Sequence, residues 1–204
     1  MSFTRDDLEK LKCEVKKRLS EKRYLHTLGV AECAVRLAQL CLPECREYAE
    51  AAGLLHDITK ELSIEEERKL LKLSGECVFE DESEGVLHSL TAPYVIKRDF
   101  PSFSDGKILS AVYNHTMGAP DMSVLDEIIF LADFIEEGRS YEASVRVRNF
   151  VFSGVKEGKF EENINILHRA CLMEITSTIE NLTRKNMRIN EKTLKTKSAL
   201  EKRI

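Results

Sequence analysis

The sequence predicts an all-α domain, on three observations. Apolar residues recur at helical spacing over most of its 204 positions. Only four prolines and nine glycines interrupt that spacing, and no run alternates with the period of two that a half-buried strand requires. With no internal repeat and no low-complexity linker, the length fits one domain carrying a short appendage.

Taken in order, the elements follow from caps and breakers. Thr4 with Asp7 resembles a capping box, and Leu8, Leu11, Val15 and Leu19 then mark one face of a first helix. A second helix is predicted from about Tyr24 to Cys41, stopping at Pro43, and a third from about Glu44 into the string AAGLLHD. Ser63 with Glu66 is a stronger capping box, opening a helix through about Leu73. Residues 74–84 read as an acidic loop. Further helices are expected over 85–98, 105–115 and 123–136, the last capped by Ser123. A long helix over about 158–184 carries Ile164, Leu167, Cys171, Ile175, Ile179 and Leu182 on one stripe.

Composition excludes several classes. Hydrophobic residues at 43% and charged residues at 32% argue against wholesale disorder. No apolar run approaches the ~20 residues that span a bilayer, and the first twenty residues are charged throughout, unlike a signal peptide. The expected compartment is therefore the cytoplasm. Six cysteines (Cys13, Cys33, Cys41, Cys45, Cys77 and Cys171) form no CxxC pair, so reduced thiols are expected rather than a zinc site. The net charge of −4 is unevenly spread. Residues 184–204 hold eight Lys/Arg against two Glu, a local +6 that leaves −10 for the remainder. An acidic body is a poor electrostatic partner for nucleic acid, and the basic end reads as a solvated helix end.

The chemistry lies in histidines and aspartates. Of five histidines, His26, His56, His88 and His115 fall at or near the ends of predicted helices, and Asp57 directly follows His56. Asp133 interrupts the apolar string IIFLADFIEE, where a buried carboxylate without a cation or metal partner would be costly. An exposed turn is the alternative for Asp133, and a satisfied core residue is the alternative for each histidine. His168 has no acidic or histidine neighbour in a recognisable pattern and reads as structural. The ordered set is more telling than its members. His26, His56, Asp57, His88, His115 and Asp133 are enough donors for two metal ions sharing one carboxylate, a dinuclear arrangement suited to phosphoester chemistry. Arg23, Lys60, Thr116 and Arg139 accompany these elements, the cationic and hydroxyl groups that phosphate esters need.

The order H…HD…D resembles that of the HD phosphohydrolase superfamily. The local strings are more specific: RYLHTLGV, GLLHDITK, LHSLTAPYV, NHTMGAPDMS and IIFLADFIEEGR. Together they resemble the bacterial HD-type symmetrical diadenosine-tetraphosphate hydrolases (YqeK type), over about residues 5–185. That resemblance implies a single HD-domain helical bundle over 1–185; the helical, basic C-terminal extension read over 186–204 does not match the family pattern and is assigned no role. It implies two metal ions, iron favoured over manganese, cobalt, magnesium or zinc, and cleavage of diadenosine tetraphosphate to two ADP. By position, His26, His56, Asp57 and Asp133 would hold the first metal, and His88 and His115, with Asp57 bridging, the second. Asp57 and Lys60 would be catalytic, and Arg23, Lys60, Thr116 and Arg139 would bind substrate. Expected partners are a nucleotide and a second copy in a homodimer, with neither membrane nor nucleic acid.

The chain departs from that pattern at Met117, at Ala119, where a basic residue is usual, and at Glu137, where proline is common. Two alternatives stand beside this reading. One is an HD phosphohydrolase acting on another nucleotide, such as a nucleoside monophosphate; a cyclic-dinucleotide enzyme would need a GYP motif, which is absent. The other is a nucleotide-binding regulatory module without chemistry.

Overall fold

The computed structural model describes residues 3–75 and 83–204. Among the described residues it holds ten α-helices, three short 3-10 turns and no strand, the all-α class that the periodicity predicts. Helix α1 (Arg5–Lys16) opens on a capping box between Thr4 and Asp7 and buries Leu8, Leu11 and Val15. Leu19 does not continue that helix, contrary to the expectation. The helix gives out at Lys17, and Leu19 reaches the core from the connecting turn. Helix α2 (Glu21–Cys41) starts earlier than its apolar spacing suggests, because the Ser20 hydroxyl accepts from the Arg23 amide at 3.3 Å and caps it. Pro43–Cys45 form a 3-10 turn, and α3 (Arg46–Leu55) begins after it rather than at Glu44.

Helix α4 (Ile64–Ser74) has the expected Ser63–Glu66 capping box and stops at Gly75, whose φ of 75° is the left-handed conformation favoured for glycine. The acidic loop expected over 74–84 falls largely on residues 76–82, outside the described residues, as does Cys77. Helices α5 (Leu87–Asp99), α6 (Gly106–Asn114) and α7 (Val124–Ile135) follow close to their expected positions, α7 with a full capping box between Ser123 and Asp126. Helix α8 (Glu142–Gly154) is not among the expected elements. It buries only Ser144, Val147 and Val151, a stripe too narrow and too polar at its start to stand out. Helix α9 (Phe160–Arg184) carries the predicted stripe, with Leu167, Cys171 and Ile175 buried.

Helix α7 sits at the centre and touches α2, α3, α6, α8 and α9. Its residues from Leu125 to Ala132 are buried without a break. Each fully buried Ile128, Ile129 and Leu131 side chain contributes about 1.5–3 kcal/mol relative to exposure. Helices α2 and α3 cross at closest approach at Gly53, where a Cβ would lie 2.7 Å from the Ala31 Cα. That crossing brings the end of α3 under the middle of α2.

Helix α10 (Glu191–Glu201) lies against α9 and turns Thr193, Thr196 and Leu200 inward; Lys195 is exposed, while Lys192 and Lys197 are half-buried. Beyond it, Arg203 donates to the Pro120 carbonyl at 2.9 Å and pairs with the fully buried Glu127. His168 approaches the other oxygen of Glu127 at 2.6 Å, which places that histidine in a structural pairing. The five described cysteines are free thiols, four of them buried, and burial pushes Cys33 and Cys41 up to about 12. Among the described residues no helix is long and apolar enough to cross a membrane.

Candidate metal centre

Helix ends supply the site. His56 and His115 directly follow the last residues of α3 and α6, where the final turn leaves carbonyls without helical partners. In each case the ring folds back onto one of them. His56 Nδ1 lies 2.7 Å from the Gly53 carbonyl, and His115 Nδ1 lies 2.6 Å from that of Val112. A carbonyl only accepts, so both Nδ1 atoms carry the proton and both Nε2 lone pairs point elsewhere. Both histidines are buried, and His56 Nε2 has no hydrogen-bond partner among the described residues.

Three overlapping groups of donors converge around those nitrogens: His26, His56 and Asp57; His56, His115 and Asp133; Asp57, His88 and His115. Within each group the donor atoms lie within 4.8 Å of one another. Asp57 divides its carboxylate between them. Oδ2 faces His56 Nε2 at 3.4 Å and His26 Nε2 at 3.7 Å, while Oδ1 faces His88 Nε2 at 3.4 Å and His115 Nε2 at 3.9 Å. Asp133 Oδ1 approaches His26 Nε2 at 3.0 Å and His56 Nε2 at 4.0 Å. His88 and His115 bring their Nε2 atoms within 3.0 Å of each other. With the His115 proton on Nδ1, that contact calls for a proton on His88 or a cation beside both rings. Imidazole and carboxylate donors of this kind suit a divalent transition metal, and the partnerless His56 Nε2 fits a ligand role.

Cations and hydroxyls ring the cluster. Arg23 donates to Asp57 Oδ2 at 2.7 Å, and Arg139 to Asp133 Oδ1 at 2.5 Å and to the Asp133 carbonyl at 2.9 Å. Lys60 Nζ lies 3.0 Å from His88 Nδ1, and the Thr116 hydroxyl lies 3.2 Å from His88 Nε2. Burial pulls the Lys60 ammonium below its ordinary range, and it holds His115 down at about 4. His88 is lowered further, by burial and then by the neighbouring His115. For Asp57, burial works upward, but His56 and then His88 and His115 outweigh it and hold the carboxyl well below the usual range. His88 and His115 are thus held neutral beside ionised carboxylates, the state that metal ligands need. For His56, burial works downward, but Asp57 and then Asp133 outweigh it and raise the imidazole.

All ten residues that the sequence singles out as ligands or phosphate contacts therefore meet in one place. Sequence reasoning missed the groups that hold them there. Glu136 is buried, faces His26 Nδ1 at 3.2 Å and accepts from the Gly138 amide at 2.5 Å. Its carboxylate fills the space beside Gly29, where a Cβ would lie 2.7 Å from Oε2. The signal was present, since Glu136 stands three residues after Asp133. Arg148 gave none. From α8 it donates to the Ile135 carbonyl at 2.6 Å and the Arg139 carbonyl at 2.7 Å, and it also bonds that of Glu136, fixing the turn that carries Arg139. Of the departures, Met117 and Ala119 are buried apolar residues, and Glu137 is exposed, 3.9 Å from Arg148.

Known proteins share this sequence pattern and this fold. The HD domain family matches residues 23–138. A symmetrical bis(5'-nucleosyl)-tetraphosphatase from Halalkalibacterium halodurans is 35% identical over 190 residues, 91% of this chain and 92% of the relative. One from Bacillus subtilis is 30% identical over 181 residues, 87% of this chain and 88% of that protein. Among solved structures, an HD superfamily hydrolase involved in NAD metabolism from Clostridium acetobutylicum superposes with a TM-score of 0.83 at 29% identity, over 100% of both chains.

Proposed function

We propose that this chain, which belongs to the HD domain family and is a phosphohydrolase, cleaves diadenosine tetraphosphate at its central anhydride to give two ADP. The observation that carries the reading is Asp57, whose two oxygens serve different histidine pairs, as a carboxylate shared by two metal ions would. Relatives named for that substrate, at 30% and 35% identity over most of both chains, support it.

His26, His56, Asp57 and Asp133 would hold one ion, and His88 and His115, with Asp57, the other, iron being favoured. A metal pair, when bound, supplies a water acidic enough to attack at neutral pH and neutralises phosphoryl charge. The chain's own groups do the rest. Arg23 and Arg139 sit within hydrogen-bond range of the carboxylates at the cluster's edge and would grip phosphoryl oxygens as charge grows on them. The oxygen of water bonds to one inner phosphorus and gives up its proton to solvent, the bridging P–O bond breaks, and the departing ADP takes the electron pair. Lys60, with its lowered proton affinity, stands beside His88 to stabilise or protonate that leaving oxygen. Thr116 offers a hydroxyl to a non-bridging oxygen.

The test is to incubate metal-replete protein with diadenosine tetraphosphate, follow products by chromatography and measure metal on the same sample. ADP as the sole early product, with about two metals per chain, is expected. ATP plus AMP would overturn symmetrical cleavage, and turnover of mononucleotides alone would replace the substrate. Asp57→Ala should lose both metal and activity; retention of both would sink the shared-carboxylate scheme.

A further inference from the structure

Two clefts open from the cluster, and they share a wall. One, of about 630 Å³, is lined at its inner end by His115, Asp133 and Arg139 and runs between α8 and α9. The other, of about 900 Å³, is lined by Arg23, His26 and Arg139 on the α2 side. Arg139 and Tyr141 line both. Each volume falls in the range of about 300–1,000 Å³ in which nucleotide-sized ligands bind.

Each also has residues of its own. Arg146, Asn181 and Arg184 line the α8–α9 cleft, together with Glu174, a buried carboxyl whose Oε2 has no partner among the described residues. A buried polar atom left unsatisfied costs about 1–3 kcal/mol unless a ligand or water meets it. The α2-side cleft has Leu25, 61% exposed, beside the shared Tyr141, 69% exposed, surfaces against which a nucleobase can lie.

Resting on the symmetrical-cleavage reading above, we propose that the substrate straddles this ridge, one ADP half in each cleft, with the central anhydride passing over Asp57. Cleavage in the middle then follows from having a nucleotide site on either side of the metal ligands. Arg139, common to both clefts, meets the phosphate chain where it crosses. Glu174 and Asn181 give one adenosine directional hydrogen bonds, and Leu25 with Tyr141 gives the other an apolar seat.

ADP titrated calorimetrically into the metal-loaded full-length protein should bind at two per chain. Leu25→Ser and Arg184→Glu lie on the surface of opposite clefts. Each should remove one ADP, keep the other, and raise KM for diadenosine tetraphosphate at least tenfold, with melting temperature and metal content unchanged. One ADP per wild-type chain, or either variant leaving stoichiometry and KM unaltered, would overturn the two-cleft assignment even if the substrate is cleaved to ADP. Two bound ADP without turnover of the dinucleotide would overturn the symmetrical reading and leave both clefts as nucleotide sites.

Discussion

Thr196 of α10 occupies the space that a side chain on Gly118 would need. A Cβ there would lie 2.5 Å from Thr196 Cγ2, and the Thr196 hydroxyl donates to the Met117 carbonyl at 3.3 Å. Gly118 has a φ of 66° and ends the turn that carries His115 and Thr116, so the C-terminal helix rests on the loop presenting two residues of the site.

Gly118→Ala should therefore lower stability by about 1–3 kcal/mol, from the left-handed backbone together with the clash. Urea denaturation measures it. Adding Thr196→Ala should recover the part due to the clash and leave the backbone part, a positive coupling in a double-mutant cycle. Additive losses would mean that α10 does not bear on this turn in solution.

Arg203 is the counter-charge for Glu127, a carboxylate fully buried on α7. His168 still faces the other Glu127 oxygen, so Arg203→Met strips one of two partners from a buried carboxylate and should cost about 1–3 kcal/mol. Changing Glu127 to Gln in the same chain should return much of that loss. If Arg203→Met melts like the parent, the basic end is not seated on the body.

Burial pushes the Glu67 carboxyl up to about 7, with Lys60 pulling the other way. The unfolded chain releases this proton near pH 4.3, so the folded state binds it more tightly. The stability that Glu67 contributes is therefore complete below about pH 4.3 and is lost as pH rises through 7. Glu67→Gln keeps a neutral group at every pH. The variant should match the parent at pH 4–5 and exceed it at pH 8, seen as a pH-dependent gap in melting temperature. A constant gap across that range would remove the raised carboxyl from the account.

Arg148 holds three carbonyls of the 135–139 turn by its guanidinium fork, which a lysine cannot reproduce. Arg148→Lys should raise KM roughly three- to tenfold, because a slightly misplaced Arg139 weakens its grip on phosphate. Metal content should be unchanged, since no ligand is displaced. Loss of metal would mean that the turn also sets the position of Asp133.

The helices were legible because their signals are local. Capping boxes at Thr4, Ser63 and Ser123 and the stripe on α9 need only a few neighbouring residues to be read. Helix α8 escaped because it fully buries only three small or medium side chains, with Phe150 and Phe152 half-buried beside them, so its periodicity is faint. Leu19 misled for the converse reason, since an apolar residue at helical spacing can be buried from a turn.

For the site, residue type and position along the chain were enough to single out His26, His56, Asp57, His88, His115 and Asp133, because histidines and an aspartate set in apolar strings need partners. Which of them face which oxygen of Asp57, that Glu136 backs His26, and that Thr196 seats against Gly118 were decided only by the tertiary structure. The 3.6-residue period acts within one helix. The distances between donors depend on where α2 crosses α3 and on how the chain turns after α3 and α6 end, and those are settled by packing among residues far apart in sequence.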